Sequence, residues 1–305
     1  MNGVINVYKE AGFTSHDVVA KLRGIVKQKK IGHTGTLDPD AEGVLPVCLG
    51  NATKLCGLLT EKEKTYRAVL LLGQTTDTQD TSGRVLTEAP VTATGEQVRE
   101  AIMSFLGDYD QVPPMYSALK VNGKKLYELA REGKEVERQA RRVRILDMEI
   151  HEIRLPEVTF TVTCSSGTYI RTLCQDIGEK LGCGGCMKSL LRTKVDRFEL
   201  ADSHKLSELE AMMHEGRIEE VLLPVDDVFA ACPAVCIRQE SDRLIQNGNP
   251  FGKEDIAETT GECPPEGTEL ERNCVRVYNS EGDFRGLYRR EQGGRRYKPE
   301  KMFLS

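Results

Sequence analysis

The chain has 305 residues, of which 39% are hydrophobic and 29% charged, with a formal net charge of −5. Enough apolar residue is present to bury a real core, as one large domain or a large domain with a small one. No run stays apolar for the length of a membrane helix, and MNGVINVYKE lacks the basic and apolar regions of a signal peptide. The expected location is therefore the cytoplasm, where the ten cysteines stay reduced.

In chain order, Gly3 to Tyr8 reads as a short strand. Thr14 or Ser15 can then cap a helix that carries Val18, Val19, Leu22, Ile25 and Val26 on one face. The segment KKIGHTGTLDPDAEGVLPV, residues 29–47, is a glycine-rich acidic loop running into a strand through Val44, Leu45 and Val47. TYRAVLLLG, 65–73, reads as a buried strand closed by the polar turn region QTTDTQDTSGR. GEQVREAIMSFLG, 95–107, reads as an amphipathic helix. EVTFTVTCSSG, 157–167, alternates as a strand, and the next segment reads as a helix ending at Gly182. Beyond an acidic helical stretch, short strand-like pieces at 275–278 and 286–288 place a domain boundary near Cys232-Pro233, dividing the chain into 1–231 and 232–305. The acidic, proline-containing region 253–272 reads as an exposed loop. Strands and helices without regular βαβ alternation predict an α+β fold.

The modest net charge hides basic blocks. Lys21, Arg23, Lys27, Lys29 and Lys30 stand without an acid between Val18 and Leu37. From Lys120 to Arg144 there are nine bases against four acids, and Arg289, Arg290, Arg295, Arg296 and Lys298 follow near the end. Each block reads as a solvated helical face or as a phosphate-holding patch; three together favour a nucleic-acid partner.

The acidic loop has three readings. Asp38, Asp40, Glu42 and Gly43 match the first half of a calcium-binding loop, but the twelfth place, which needs a bidentate glutamate, is Leu49. A phosphate loop would need Gly-Lys-Ser/Thr, which is missing. The third reading is a turn, plain or catalytic. Cys183 and Cys186 are spaced as half a zinc site, with no second pair to complete it. No metal is expected.

GHTGTLDPDAEGVLPV closely resembles the active-site segment of the TruB family of pseudouridine synthases. KTYRAVLLLG, at 64–73, is similar to the family's second motif, and PPMYSALKVNGKKLYELAREG, at 113–133, to its RNA-clasping insertion. CSSGTYIRTLCQDIGEKLGCG, at 164–184, resembles its third motif. The tail resembles, more loosely, a PUA-like RNA-binding domain. One departure is Glu10, where the family usually has proline after the lysine.

The resemblance implies a pseudouridine synthase catalytic domain on a mixed, largely antiparallel sheet, followed by a small PUA-like β domain. The clasping insertion would occupy about 113–145. It implies isomerisation of the T-loop uridine that the family assigns to position 55 of tRNA. Asp38 would be the catalytic carboxylate, Arg171 its partner favouring the charged form, and Tyr66 and Tyr169 the pocket tyrosines. Asp40 and Glu42 would be ordinary surface acids. His33 would fill the space left by a flipped base, and Leu191, with Leu190 as the alternative, would wall the pocket. Lys21, Lys29, Lys30 and Lys120 would contact phosphates. Isomerisation loses no atoms, so no cofactor is expected. The expected partner is the T-arm stem-loop of tRNA, with neither a membrane nor an obligatory protein partner. Two rivals remain: a guide-RNA-dependent enzyme of the same fold, and an RNA-folding module with secondary catalysis.

Overall fold

The structure, a computed structural model, describes residues 1–121, 123–260, 274–291 and 295–303. Strand β1 (Gly3–Lys9) leads to helix α1 (Ser15–Ile25). Thr14 caps it through a reciprocal box with Asp17, and Val18, Val19 and Leu22 are buried. Strands β2 (Ile31–His33) and β3 (Glu42–Leu49) flank the acidic loop; α2 (Cys56–Thr60) and β4 (Lys64–Leu72) follow. The polar region expected to be a turn is instead a small ribbon, β5 (Gln74–Thr76) and β6 (Val85–Glu88), whose threonines pair across the strands. Helix α3 (Gly95–Met103) is shorter than its sequence pattern, because Gly107, at φ +99°, already begins β7 (Gly107–Gln111).

Residues 112–140 carry a two-residue ribbon, β8 (Lys120–Val121) with β9 (Lys124–Lys125), and helix α4 (Leu126–Arg131). The sheet resumes with β10 (Arg141–Arg154) and β11 (Glu157–Cys164), then α5 (Ile170–Lys180), β12 (Gly185–Val195), β13 (Phe198–Glu199), α6 (Leu206–His214) and β14 (Leu222–Leu223). Ten strands join in the order β14-β1-β3-β12-β4-β11-β10-β7, with β2 beside β3 and β13 beside β12. Every pairing is antiparallel except β3 with β12.

Alternation along β11 buries Val158, Phe160, Val162 and Cys164, which meet Leu173, Cys174 and Ile177 of α5 and Val98 and Ile102 of α3. Elsewhere on the sheet α1 and α6 cover Ile5, Val7, Leu45 and Val47. Each large aliphatic side chain so enclosed contributes about 1.5–3 kcal/mol, and the first cluster also takes in Leu37 and Ala41 of the acidic loop.

A second sheet takes its strands from β15 (Ala234–Ile237) onward. After α7 (Asp242–Gln246) come β16 (Phe251–Gly252), β17 (Ile256–Thr260), β18 (Cys274–Tyr278), β19 (Phe284–Arg290) and β20 (Arg296–Met302), ordered β16-β20-β19-β18-β15-β17. The architecture is thus α+β, a large mixed sheet followed by a small β unit. Val4, Val44, Cys48 and Val195 of the large sheet pack with Leu287 and Phe303 of the small one. The expected exposed loop at 253–272 contains a short helical turn, Lys253–Asp255, and the paired, largely exposed strand β17; 261–272 lie outside the described residues. No helix among the described residues is long and apolar enough to cross a membrane.

Candidate active site

Asp38 sits on the loop between β2 and β3, and the loop is fixed from several sides. Leu37 is buried in the core; its N–H donates to Ser15 Oγ at 2.9 Å. Thr34 N–H and Oγ1 both donate to the Pro46 carbonyl at 3.2 Å. The fully buried Lys9 ammonium donates to the carbonyls of Glu10, Pro39 and Ala41 at 3.0, 2.8 and 2.5 Å. These bonds leave the loop backbone few ways to move, so the carboxylate is presented from a rigid base.

Gly43 ends the loop. Its φ of +105° and the Arg192 carbonyl, 2.2 Å from where a Cβ would stand, exclude any other residue. The parallel pairing of β3 with β12 is what forces this approach, since it sets Gly43 opposite Arg192.

Arg171, from the first turn of α5, grips Asp38 with two nitrogens: Nε lies 3.0 Å from Oδ2 and Nη2 donates to Oδ1 at 3.2 Å. The guanidinium also donates to the carbonyls of Thr78 at 3.0 Å and Tyr116 at 2.9 Å. Asp80 Oδ2 is 3.8 Å away. Arg171 is buried, whereas 40% of the Asp38 side chain stays open to solvent. The two-point contact therefore orients one face of the carboxylate and leaves the other free. Arg171 acts toward the charged form, as expected, yet the net shift of the Asp38 carboxyl is upward. Burial raises the Asp38 carboxyl above its ordinary range, Arg171 pulls it down by less, and Asp80 pushes it up again.

Tyr66 lies on β4 directly across from Arg192 on β12, within reach of that guanidinium's charge. Burial raises the phenol's pKa and Arg192 opposes it. Tyr169 is the N-cap residue of α5, and burial raises its phenol too. The Asp38 charge acts on both phenols, so the four residues expected together do converge.

His33, the last residue of β2, meets His16 edge-to-face at 5.4 Å. Burial chiefly, with help from His16 and Arg192, lowers its pKa and favours the neutral ring. Leu191 is partly exposed and pairs with Glu42, while Leu190 points into the core. Glu42 is more than a surface acid: it opens β3 and accepts from the Tyr8 hydroxyl at 3.2 Å. Asp40 is exposed, as expected. Lys21, Lys29, Lys30 and Lys120 stand in solvent, Lys21 over the Phe13 ring at 4.2 Å. Arg141, Arg142 and Arg144 of the basic block belong to β10, where Arg142 pairs with Asp110 at 3.2 Å.

Lys9, Asp80, Gln111 and Arg192 were not among the expected site residues. Arg192 alone left a signal, as a charged residue two places after the core residue Leu190 in a strand. It is 1% exposed and donates to the carbonyls of Val44 at 2.7 Å and Gly35 at 3.2 Å. Cys183 and Cys186 are buried thiols, and the Cys183 thiol faces the Gly178 and Gly184 carbonyls.

The profile of the TruB family pseudouridylate synthase N-terminal domain matches residues 23–170, and that of the tRNA pseudouridylate synthase B C-terminal domain matches 171–230. A tRNA pseudouridine synthase B of Lachnoclostridium phytofermentans is 53% identical, over the full length of both chains. The chain belongs to the TruB family.

Another TruB-family relative, the tRNA pseudouridine synthase B of Alkaliphilus oremlandii, is 46% identical over 97% of this chain and 96% of its own. Among solved structures, a Cbf5-Nop10-Gar1 complex contains a chain that superposes with a TM-score of 0.72 at 26% identity, covering 99% of this chain and 85% of that one. TruB-family membership makes the protein a pseudouridine synthase, an isomerase.

Proposed function

We propose that the protein isomerises the T-loop uridine of tRNA to pseudouridine, with Asp38 as the carboxylate at the sugar. One observation carries the reading: Asp38 is held at two points by buried Arg171, at 3.0 and 3.2 Å, with its other face open. The names of the relatives, tRNA pseudouridine synthase B, supply the substrate class.

In the reaction the uridine N1–C1′ bond breaks and the ionised Asp38 stabilises or captures the electron-poor C1′. The detached base turns, C5 bonds to C1′, the C5 proton leaves to solvent, and N1, which kept the electron pair of the broken bond, takes up a proton. Atoms and electrons balance without an external reagent. The buried loop bonds and the Arg171 grip keep the carboxylate aligned during the turn, which is where orientation contributes to rate. Tyr66, beside Arg192, lies against the sugar and base, and Tyr169 shapes the adjoining wall with Leu191.

The uridine reaches this site by flipping out of its loop, and neutral His33 fills the space it leaves. Residues 112–140 clasp the RNA, with Lys120 on their outer face; Lys21, Lys29 and Lys30 hold phosphates on the α1 side. Residues 1–231 form the catalytic unit and 232–305 a PUA-like RNA-binding unit. Binding then weakens steeply with salt despite the negative net charge.

The test is tritium release from 5-tritiated uridine in a synthetic T-arm stem-loop. The wild type should release tritium and Asp38→Asn should not, with RNA affinity retained within a few-fold. Release by Asp38→Asn would refute the mechanism. No release by the wild type, with tight binding kept, would favour a guide-dependent enzyme or an RNA-folding module.

A further inference from the structure

Strand β7 ends at Gln111 and β10 begins at Arg141, and these two residues face each other across the ladder. The clasp therefore leaves and rejoins the sheet at a single root. Gln111 is 1% exposed. Its Oε1 accepts from the Tyr169 N–H at 2.8 Å, and its Nε2 donates to the Tyr169 carbonyl at 2.9 Å. One side-chain amide thus makes the pair of bonds that a neighbouring strand would make to that peptide. Only one orientation of the amide satisfies both, so its donor and acceptor are assigned by the partners themselves.

The clamped residue is the N-cap of α5, where no side chain caps the helix, and Arg171 follows two residues later. Arg171 returns the link by donating to the carbonyl of Tyr116, inside the clasp, at 2.9 Å. Three hydrogen bonds, two at Gln111 and one from Arg171, therefore join the clasp and its root to the segment that orients Asp38.

We propose that Gln111 is a positioning residue: it locks the Tyr169–Arg171 segment to the root of the RNA clasp, so that clasp and Asp38 are aligned together. This rests on the reading of the site given above. Gln111 touches neither substrate nor the reacting atoms, and acts through Tyr169 and Arg171.

The experiment is single-turnover tritium release at saturating enzyme, with RNA affinity measured in parallel, for wild type, Gln111→Glu and Gln111→Leu. Ionised glutamate keeps the acceptor and loses the donor; once protonated it regains the donor, and burial moves that protonation upward in pH. The rate constant of Gln111→Glu relative to wild type should be down on the order of tenfold at alkaline pH and recover as pH falls. Gln111→Leu should lose on the order of a hundredfold at every pH, the scale of an ångström of misplacement. RNA affinity should change by no more than a few-fold in either. A residue that only stabilised the fold would reduce the active fraction and leave the saturated rate constant alone. Unchanged rate constants, or equal losses in both variants at every pH, would overturn the proposal. Absence of release from the wild type would overturn the reading of the site and the inference with it.

Discussion

Lys9→Met tests how the loop carrying Asp38 is held. Methionine keeps an unbranched side chain, one atom shorter, and removes its donors. Lys9 is 0% exposed, and its ammonium bonds to three carbonyls, of which Pro39 and Ala41 lie one and three residues beyond Asp38. At about 2 kcal/mol for each acceptor left without a partner, the gross loss is about 6 kcal/mol. Against this, desolvation lowers the Lys9 pKa from 10.5 to about 8. At about 1.4 kcal/mol per unit, a wild-type cation at pH 7 costs the fold about 3 kcal/mol, which the variant is spared. The net destabilisation at pH 7 is thus about 3 kcal/mol.

The sign of its pH dependence follows from linkage. The folded pKa lies below the unfolded one, so between about pH 8 and 10.5 the unfolded chain holds the extra proton. Wild-type stability therefore rises across that window, and the methionine variant has no such gain. The gap between the two proteins should widen by about 3 kcal/mol on going from pH 7 to above pH 10. Lys64, also lowered to about 8 by burial, shifts both proteins equally and cancels. The chain contains no tryptophan, so urea unfolding is best followed by circular dichroism. A gap that stays constant or narrows as pH rises would refute the reasoning.

Three more outcomes follow from the site. Arg171→Lys cannot span Asp38 and the Thr78 and Tyr116 carbonyls with one ammonium; single-turnover rates should fall on the order of a hundredfold, and the acid limb of the pH–rate profile should move to higher pH. Asp80→Asn removes a like charge that raises the Asp38 carboxyl, so the acid limb of kcat/KM should move to lower pH. Leu190→Ala should cost about 2–4 kcal/mol of stability by opening the core. Leu191→Ala should change stability by under about 1 kcal/mol while reducing turnover, a contrast that thermal melts and rate measurements resolve together.

Elements with a strong period were legible in the sequence. The apolar face of α1, the alternation of β11 and the glycine stop after α5 all emerge from local spacing that the structure keeps. Asp38, Arg171, Tyr66 and Tyr169 were legible only through resemblance, because Asp38 and Arg171 lie 133 residues apart and no local pattern joins them. Lys9 and Gln111 were invisible, and Arg192 nearly so, for a different reason. Their partners include main-chain carbonyls and N–H groups, and every residue but proline offers both, so no complementary side chain marks the contact. Asp80 was hidden in a run of threonines and aspartates that reads as a turn until the ribbon β5–β6 forms.

The parallel seam between β3 and β12 has a consequence for the order in which the protein is made. Glu42 finds its partner Leu191, and Gly43 its partner Arg192, only after about 150 further residues have been synthesised. At about 5–20 residues per second, that is a delay of roughly 7–30 s on the ribosome. For most of it, Asp38 has neither Arg171 nor Arg192 available, and the Glu42–Gly43 end of β3 waits for its β12 partner. The emerging chain therefore carries the Asp38 loop in an unassembled state until β12 slots between β3 and β4.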